Sequence, residues 1–138
     1  MPERPGKLRL KVRSEFESDG GAWPMPTHGP QTVYALNLFD LAENDDYRAY
    51  SRRSVAVVAK HGGEVTALGR LLERFDDDSA VAPRRVMIVV EWPSEAAFTA
   101  FLDDPEHADL HPLREHGTDN YLWWLFEKLD DLRPLLRP

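Results

Sequence analysis

The chain predicts an α+β fold, a four-stranded antiparallel sheet with helices packed on one side. Two observations carry that expectation. Val86-Met87-Ile88-Val89-Val90 is an unbroken β-branched and apolar run, as suits a strand covered on both faces, and Pro93 ends it because proline offers no backbone N–H to a ladder. Residues 32–128 also alternate in hydrophobic period in the order strand, helix, strand, strand, helix, strand.

The first strand is read over Thr32-Val33-Tyr34-Ala35-Leu36-Asn37-Leu38-Phe39, rich in strand formers and closed by the polar cluster from Asp40 to Asp46. From Asp45 to His61, Tyr47, Tyr50, Ser54, Val58 and His61 recur at steps of three and four, with Asn44 or Asp45 as cap and Gly62-Gly63 as stop. That is a helix. Glu64 to Phe75 resumes as a strand, Asp76-Asp77-Asp78-Ser79 makes a solvated turn, and Arg84 to Trp92 returns antiparallel to it. Ser94 caps a helix from Glu95 to Leu102 that places Phe98, Phe101 and Leu102 on one face. Asp104-Pro105 restarts a helix with an aspartate cap and proline in its first turn, and Pro112 is expected to break or bend it. Tyr121-Leu122-Trp123-Trp124-Leu125-Phe126, within Asn120 to Glu127, is the last strand. This order defines a ferredoxin-like βαββαβ sandwich.

Residues 1–31 hold four of the eight glycines and five of the eleven prolines, and read as an N-terminal extension. Their alternating segment Lys7-Leu8-Arg9-Leu10-Lys11-Val12-Arg13 makes either an edge strand or part of a disordered tail. The folded domain is expected over residues 32–128, followed by a tail at 129–138. The net charge is -7, from 17 basic and 24 acidic side chains, and a field of that sign repels nucleic acid and anionic lipid. Having no cysteine, the chain has no disulfide, thiolate metal site or cysteine nucleophile. It shows no signal-like segment and no apolar run long enough for a membrane span, so a cytoplasmic protein is expected.

With helices on one face only, the other face of the sheet should be polar if it met water. The strands around Val86–Val90 and Tyr121–Phe126, read as the two central ones, are instead apolar at odd and even positions alike. Two sheets packed face to face in a homodimer would bury such a patch; cover by residues 1–31 is the alternative.

Tyr47 and Tyr50 opening the first helix, His61-Gly62-Gly63 closing it, Val90-Glu91-Trp92-Pro93-Ser94, Glu95 to Phe101, Asp104-Pro105-Glu106-His107 and Leu113-Arg114 together resemble the domain-of-unknown-function family numbered 1330. That family is a branch of the dimeric α+β barrel superfamily. The resemblance runs from Tyr34 to about Glu127 and implies a ferredoxin-like protomer whose sheets pair into a barrel. It also implies company with cofactor-free monooxygenases, isomerases, cyclases and haem-degrading enzymes, among which fold alone does not choose.

Three residues are candidates for catalysis. His61, at the end of the first helix, would serve as general acid or base, or more blandly as a C-cap residue. Glu91 shares a strand face with Met87 and Val89, and would be a base if its surroundings were dry or an ion-pair partner of Arg70 or Arg114. Arg114, just before the last strand, has the fork to hold a carboxylate or enolate, or to form a structural salt bridge. Asn37, Tyr50, Trp92 and Trp123 are candidate substrate contacts: an amide in an apolar strand, a hydroxyl one turn after Tyr47, and two indoles.

His107, His111 and His116 have a spacing that could align imidazoles, but Pro112 argues against the geometry, so no metal is expected. Gly62-Gly63 lacks the third glycine and lysine of a phosphate loop, and no cofactor is expected. Val86–Val90 carries none of the aromatics of an RNA-recognition sheet. The leading reading is a homodimer with an aromatic-lined pocket that binds a small organic ligand and transforms it by proton transfer, cyclisation or oxygenation. Its rival is a non-catalytic binding or dimerisation module.

Overall fold

The structure, a computed structural model, describes residues 31–76 and 80–136. The expected strand at Lys7–Arg13, the question whether residues 1–30 cover the sheet, and most of the acidic turn lie outside the described residues. Pro30–Lys128 forms one compact unit. Residues 129–136 fall outside it and contain a single 3-10 turn, Arg133–Leu135, beside an Asp131–Arg133 ion pair of 2.8 Å.

Along the unit run β1 (Val33–Leu41), α1 (Asp46–Lys60), β2 (Glu64–Arg70), β3 (Val86–Trp92), α2 (Glu95–Asp103), α3 (Pro105–Gly117) and β4 (Thr118–Glu127). The sheet order is β2-β3-β1-β4 and every pairing is antiparallel. The central strands are therefore β1 and β3. The expectation that Tyr121–Phe126 is central is corrected, because among the described residues β4 pairs with β1 alone and forms an edge.

Capping chemistry sets the helix ends. Ser94 Oγ accepts from the Ala97 amide at 3.0 Å, and Asp104 Oδ1 accepts from the Glu106 amide at 2.9 Å, each satisfying a donor that has no partner within its helix. At α1, Asn44 supplies the contact: its Oδ1 accepts from Asp46 N at 2.9 Å, while its amide donates to the His116 carbonyl at 3.0 Å. Asn44 thus ties the start of α1 to the end of α3. There the two helices meet so closely that a Cβ on Gly117 would lie 2.4 Å from the Tyr47 backbone nitrogen.

Side-chain parity decides what faces the helices. Val33, Ala35, Asn37 and Phe39 of β1 are buried beneath them, as are Val90 and Trp92 of β3. Tyr50 and Val57 of α1, Phe98 and Phe101 of α2 and Leu110 of α3 close the core, each large apolar side chain contributing about 1.5–3 kcal/mol of burial. On the other face lie Leu36, Leu38, Met87, Val89, Leu122, Trp124 and Phe126. Trp124 is 50 % and Phe126 48 % exposed, although both are aromatic. No helix among the described residues is long and apolar enough to cross a membrane.

Candidate functional site

On α3, His107, His111 and Arg114 are spaced by four and three residues, so their side chains share one stripe of the helix. The helix runs without a break from Pro105 to Gly117. The expected interruption at Pro112 is corrected, since only the carbonyl one turn earlier loses its helical donor and the neighbouring turns continue.

This stripe faces β4 and α1. Arg114 is only 8 % exposed, and its guanidinium carbon lies 4.7 Å from the centre of the Tyr121 ring and 4.8 Å from that of Trp123. Its Nη2 is 2.8 Å from His111 Nδ1. No carboxylate pairs with it among the described residues, and its Nε is buried without a partner. A guanidinium between two aromatic faces gains from the ring quadrupoles, yet among the described residues it has no counter-charge.

The floor of the cluster is built by Asn37. Its Oδ1 accepts from the Tyr121 hydroxyl at 2.5 Å, and its Nδ2 donates to the carbonyls of Ala35 at 3.3 Å and Ile88 at 3.2 Å. That amide joins β3, β1 and β4. Tyr121 also stacks on Phe39, with centroids 4.8 Å apart and planes 4° from parallel. Tyr47 and Tyr50 of α1 stand 5.4 Å from each other, and Tyr50 is 6.4 Å from His107. The His107 ring lies 4.2 Å from Phe101 and 6.2 Å from Trp123.

Burial dominates the electrostatics. It pushes the Tyr47 hydroxyl up to about 12 and raises Tyr50 and Tyr121 as well, with the Arg114 charge pulling the other way. All three are neutral phenols at physiological pH. His107 is pushed down to about 4 by burial, against a backbone hydrogen bond with Leu102 and with help from the Arg114 charge. A neutral imidazole thus stands near a fixed cation. Among the described residues His107 Nε2 and Trp123 Nε1, like Arg114 Nε, are buried without hydrogen-bond partners.

Four sequence candidates, Asn37, Tyr50, Arg114 and Trp123, therefore meet in one cluster; three do not join it. His61 Nε2 lies 2.7 Å from Asp104 Oδ2, and Lys60 Nζ lies 2.9 Å from the same oxygen, forming a clasp between the end of α1 and the start of α3. That arrangement holds the Asp104 carboxyl well below the usual carboxylate range, through its hydrogen bonds to His61 and then to Lys60. Glu91 points to the face of the sheet away from the helices and pairs with Lys128 at 3.6 Å, not with Arg70 or Arg114. Trp92 is core, packed 4.9 Å from Phe101 and 5.6 Å from Phe98. Sequence reasoning missed Tyr121 and weighed His107 only as a metal ligand. The alternation of Tyr121 with Trp123 and the stripe from His107 to Arg114 were the available signals. Among the described residues no group of three or more His, Asp or Glu side chains is gathered to hold a metal.

A four-stranded antiparallel sheet in this order, covered by helices on one side, defines a ferredoxin-like α+β protein. The chain belongs to the family described as domain of unknown function DUF1330, which matches residues 32–127. It is similar to a protein of unknown function from Rhodopseudomonas palustris, with 22 % identity, TM-score 0.61 and coverage of 88 % of this chain and 94 % of that one. A ferredoxin-like DABB family protein from Mesorhizobium loti is also similar, at 16 % identity and TM-score 0.51 over 72 % of this chain and 98 % of that one. So is the cofactor-independent oxygenase SnoaB from Streptomyces nogalater, at 18 % identity and TM-score 0.53 over 75 % and 98 %. These likenesses are of fold. Among curated proteins none matches.

Proposed function

We propose that this chain binds a small planar organic anion at Arg114 and transforms it without a cofactor, working as a homodimer. One observation carries the ligand site: the Arg114 guanidinium is buried between Tyr121 and Trp123 and has no carboxylate partner among the described residues. An unpaired buried charge is costly to a fold, and a guanidinium is suited to a carboxylate, enolate or phenolate whose plane packs between aromatic rings. Asn37 and Tyr50 set the polarity of the site and Trp123 forms its wall. His61 and Glu91 serve the helix clasp and the far face of the sheet. Similarity to a cofactor-independent oxygenase agrees with such chemistry, and the reading rests on Arg114 itself.

The homodimer reading rests on the open face, where Trp124, Phe126, Leu36 and Val89 form an apolar surface that a second sheet would bury. Titration calorimetry with benzoate and 4-hydroxybenzoate tests the ligand site. Wild type should bind, and Arg114→Lys should weaken binding about tenfold or more, because lysine keeps the charge but loses the planar fork. Equal affinity in the two proteins would exclude Arg114 as the anchor.

A further inference from the structure

Among the described residues four buried side-chain polar atoms lack partners; Trp92 Nε1 lies in the core, and the other three, Arg114 Nε, Trp123 Nε1 and His107 Nε2, belong to one cluster. Orphaned buried groups are rare in native proteins, and each calls for an explanation such as a ligand or a catalytic role. Arg114 lies 4.8 Å from the Trp123 ring, and that ring lies 6.2 Å from His107, so the three groups are neighbours around one indole. The chemistry of the set is asymmetric. Guanidinium and indole N–H groups only donate, whereas the nitrogen of a neutral imidazole accepts when its other nitrogen carries the proton.

We propose that His107 Nε2 is the proton acceptor of this site, taking a proton from an enol, phenol or carbonyl-activated C–H of the ligand while Arg114 and Trp123 hold the oxyanion left behind. The inference deepens the ligand reading above and rests on it. The balance is closed. For an enolisable carbonyl the C–H pair moves into the C–C bond and the carbonyl π pair moves onto oxygen, giving an enolate and His107 imidazolium. Where the carbonyl is β,γ-unsaturated the anion is a dienolate, and return of the proton at its γ-carbon gives the conjugated isomer and restores the imidazole, with no oxidant, reductant or second substrate.

The surroundings of His107 favour this role. Burial and the Arg114 charge keep the free imidazole neutral and lower its basicity, and an anion forming beside it offsets that by stabilising its charged form. The titratable or charged groups that interact with it are Arg114, His111 and Asp104 around α3 and Tyr50 of α1; the Phe101 and Trp123 rings carry no charge.

The test uses 4-nitrophenol, colourless as the acid and yellow as the anion, at a pH where the free phenol is mostly protonated. Equilibrium dialysis measures binding and absorbance measures its protonation. Wild type should bind the phenol and raise its anion fraction about tenfold, equivalent to a shift of one pKa unit. His107→Gln, which cannot accept the proton, should raise the anion fraction less than wild type does, because Arg114 alone remains to favour the phenolate. Colourless binding to wild type would overturn the proton-acceptor role while leaving the ligand site standing, and that result requires no variant to fold. An equally yellow complex with folded His107→Gln would do the same. Failure of wild type to bind the phenol would overturn the ligand site itself.

Discussion

The guanidinium of Arg114 lies over the ring of Tyr121 at 4.7 Å, and the hydroxyl of that same tyrosine donates to Asn37 at 2.5 Å. One aromatic ring thus connects the cation of α3 to the amide that joins three strands. The ring is held in place on its other side by Phe39. A cation fixed in this way is already oriented for a ligand, which lowers the ordering cost of binding.

Arg114→Met separates function from stability. An unpaired buried charge is often better tolerated as a hydrophobic side chain of similar size, so this variant should be as stable as wild type or gain about 1 kcal/mol, while losing anion binding. Urea unfolding followed by circular dichroism checks the first part and calorimetry the second. A large loss of stability would make Arg114 a structural residue.

His107 makes stability depend on pH. Its pKa falls from the ordinary value of 6.5 in the unfolded chain to about 4 in the fold, so the unfolded chain binds more protons between those values. Its contribution is complete above pH 6.5 and is lost as pH falls towards about 4. The urea midpoint of wild type should decline across that window. His107→Gln should decline less steeply, because glutamine does not titrate.

Asp104 acts at lower pH. Its carboxylate is held down by His61, Lys60 and the Glu106 amide, so its contribution is complete above the unfolded pKa near 4 and disappears as pH falls through the lower folded value. Asp104→Asn should melt well below wild type at pH 6, and the gap should narrow in acid. A gap unchanged by pH would show that the side chain acts only as a neutral cap.

Gly117→Ala should cost about 1–3 kcal/mol, because the added methyl would meet the Tyr47 backbone, which cannot rotate away as a side chain would. Chemical denaturation checks it. The same variant should weaken anion binding if α1 and α3 part, since Tyr50 and Arg114 sit on those two helices.

Trp124→Glu tests the assembly. Placing a charge on the apolar face should convert a dimer to a monomer in sedimentation velocity while leaving the far-ultraviolet spectrum unchanged. A wild type that sediments as a monomer at high concentration would refute the homodimer.

Much of this fold was legible in the residues because it is written in local chemistry. Ser94 and Asp104 announced helix starts through hydrogen bonds that span two or three residues, and the Val86–Val90 run announced a buried strand. Asn37 was legible as an amide in an apolar strand, and Arg114 as a guanidinium placed just before the last strand. Pro112 misled, because a missing donor weakens one helical hydrogen bond without determining whether packed neighbouring turns continue. That inference hid the stripe joining His107 to Arg114. Glu91 was correctly grouped with Met87 and Val89, yet periodicity alone does not reveal which face the helices cover. The sequence by itself determined the elements, their order and the apolarity of both sheet faces, since capping and hydrophobic period act within a few residues. Only the tertiary structure decided that β4 lies at the edge, that Glu91 turns away from Arg114, and that Tyr121, Trp123 and His107 converge on it. Those relationships depend on strand order, helix packing and register between distant segments, which no local pattern specifies.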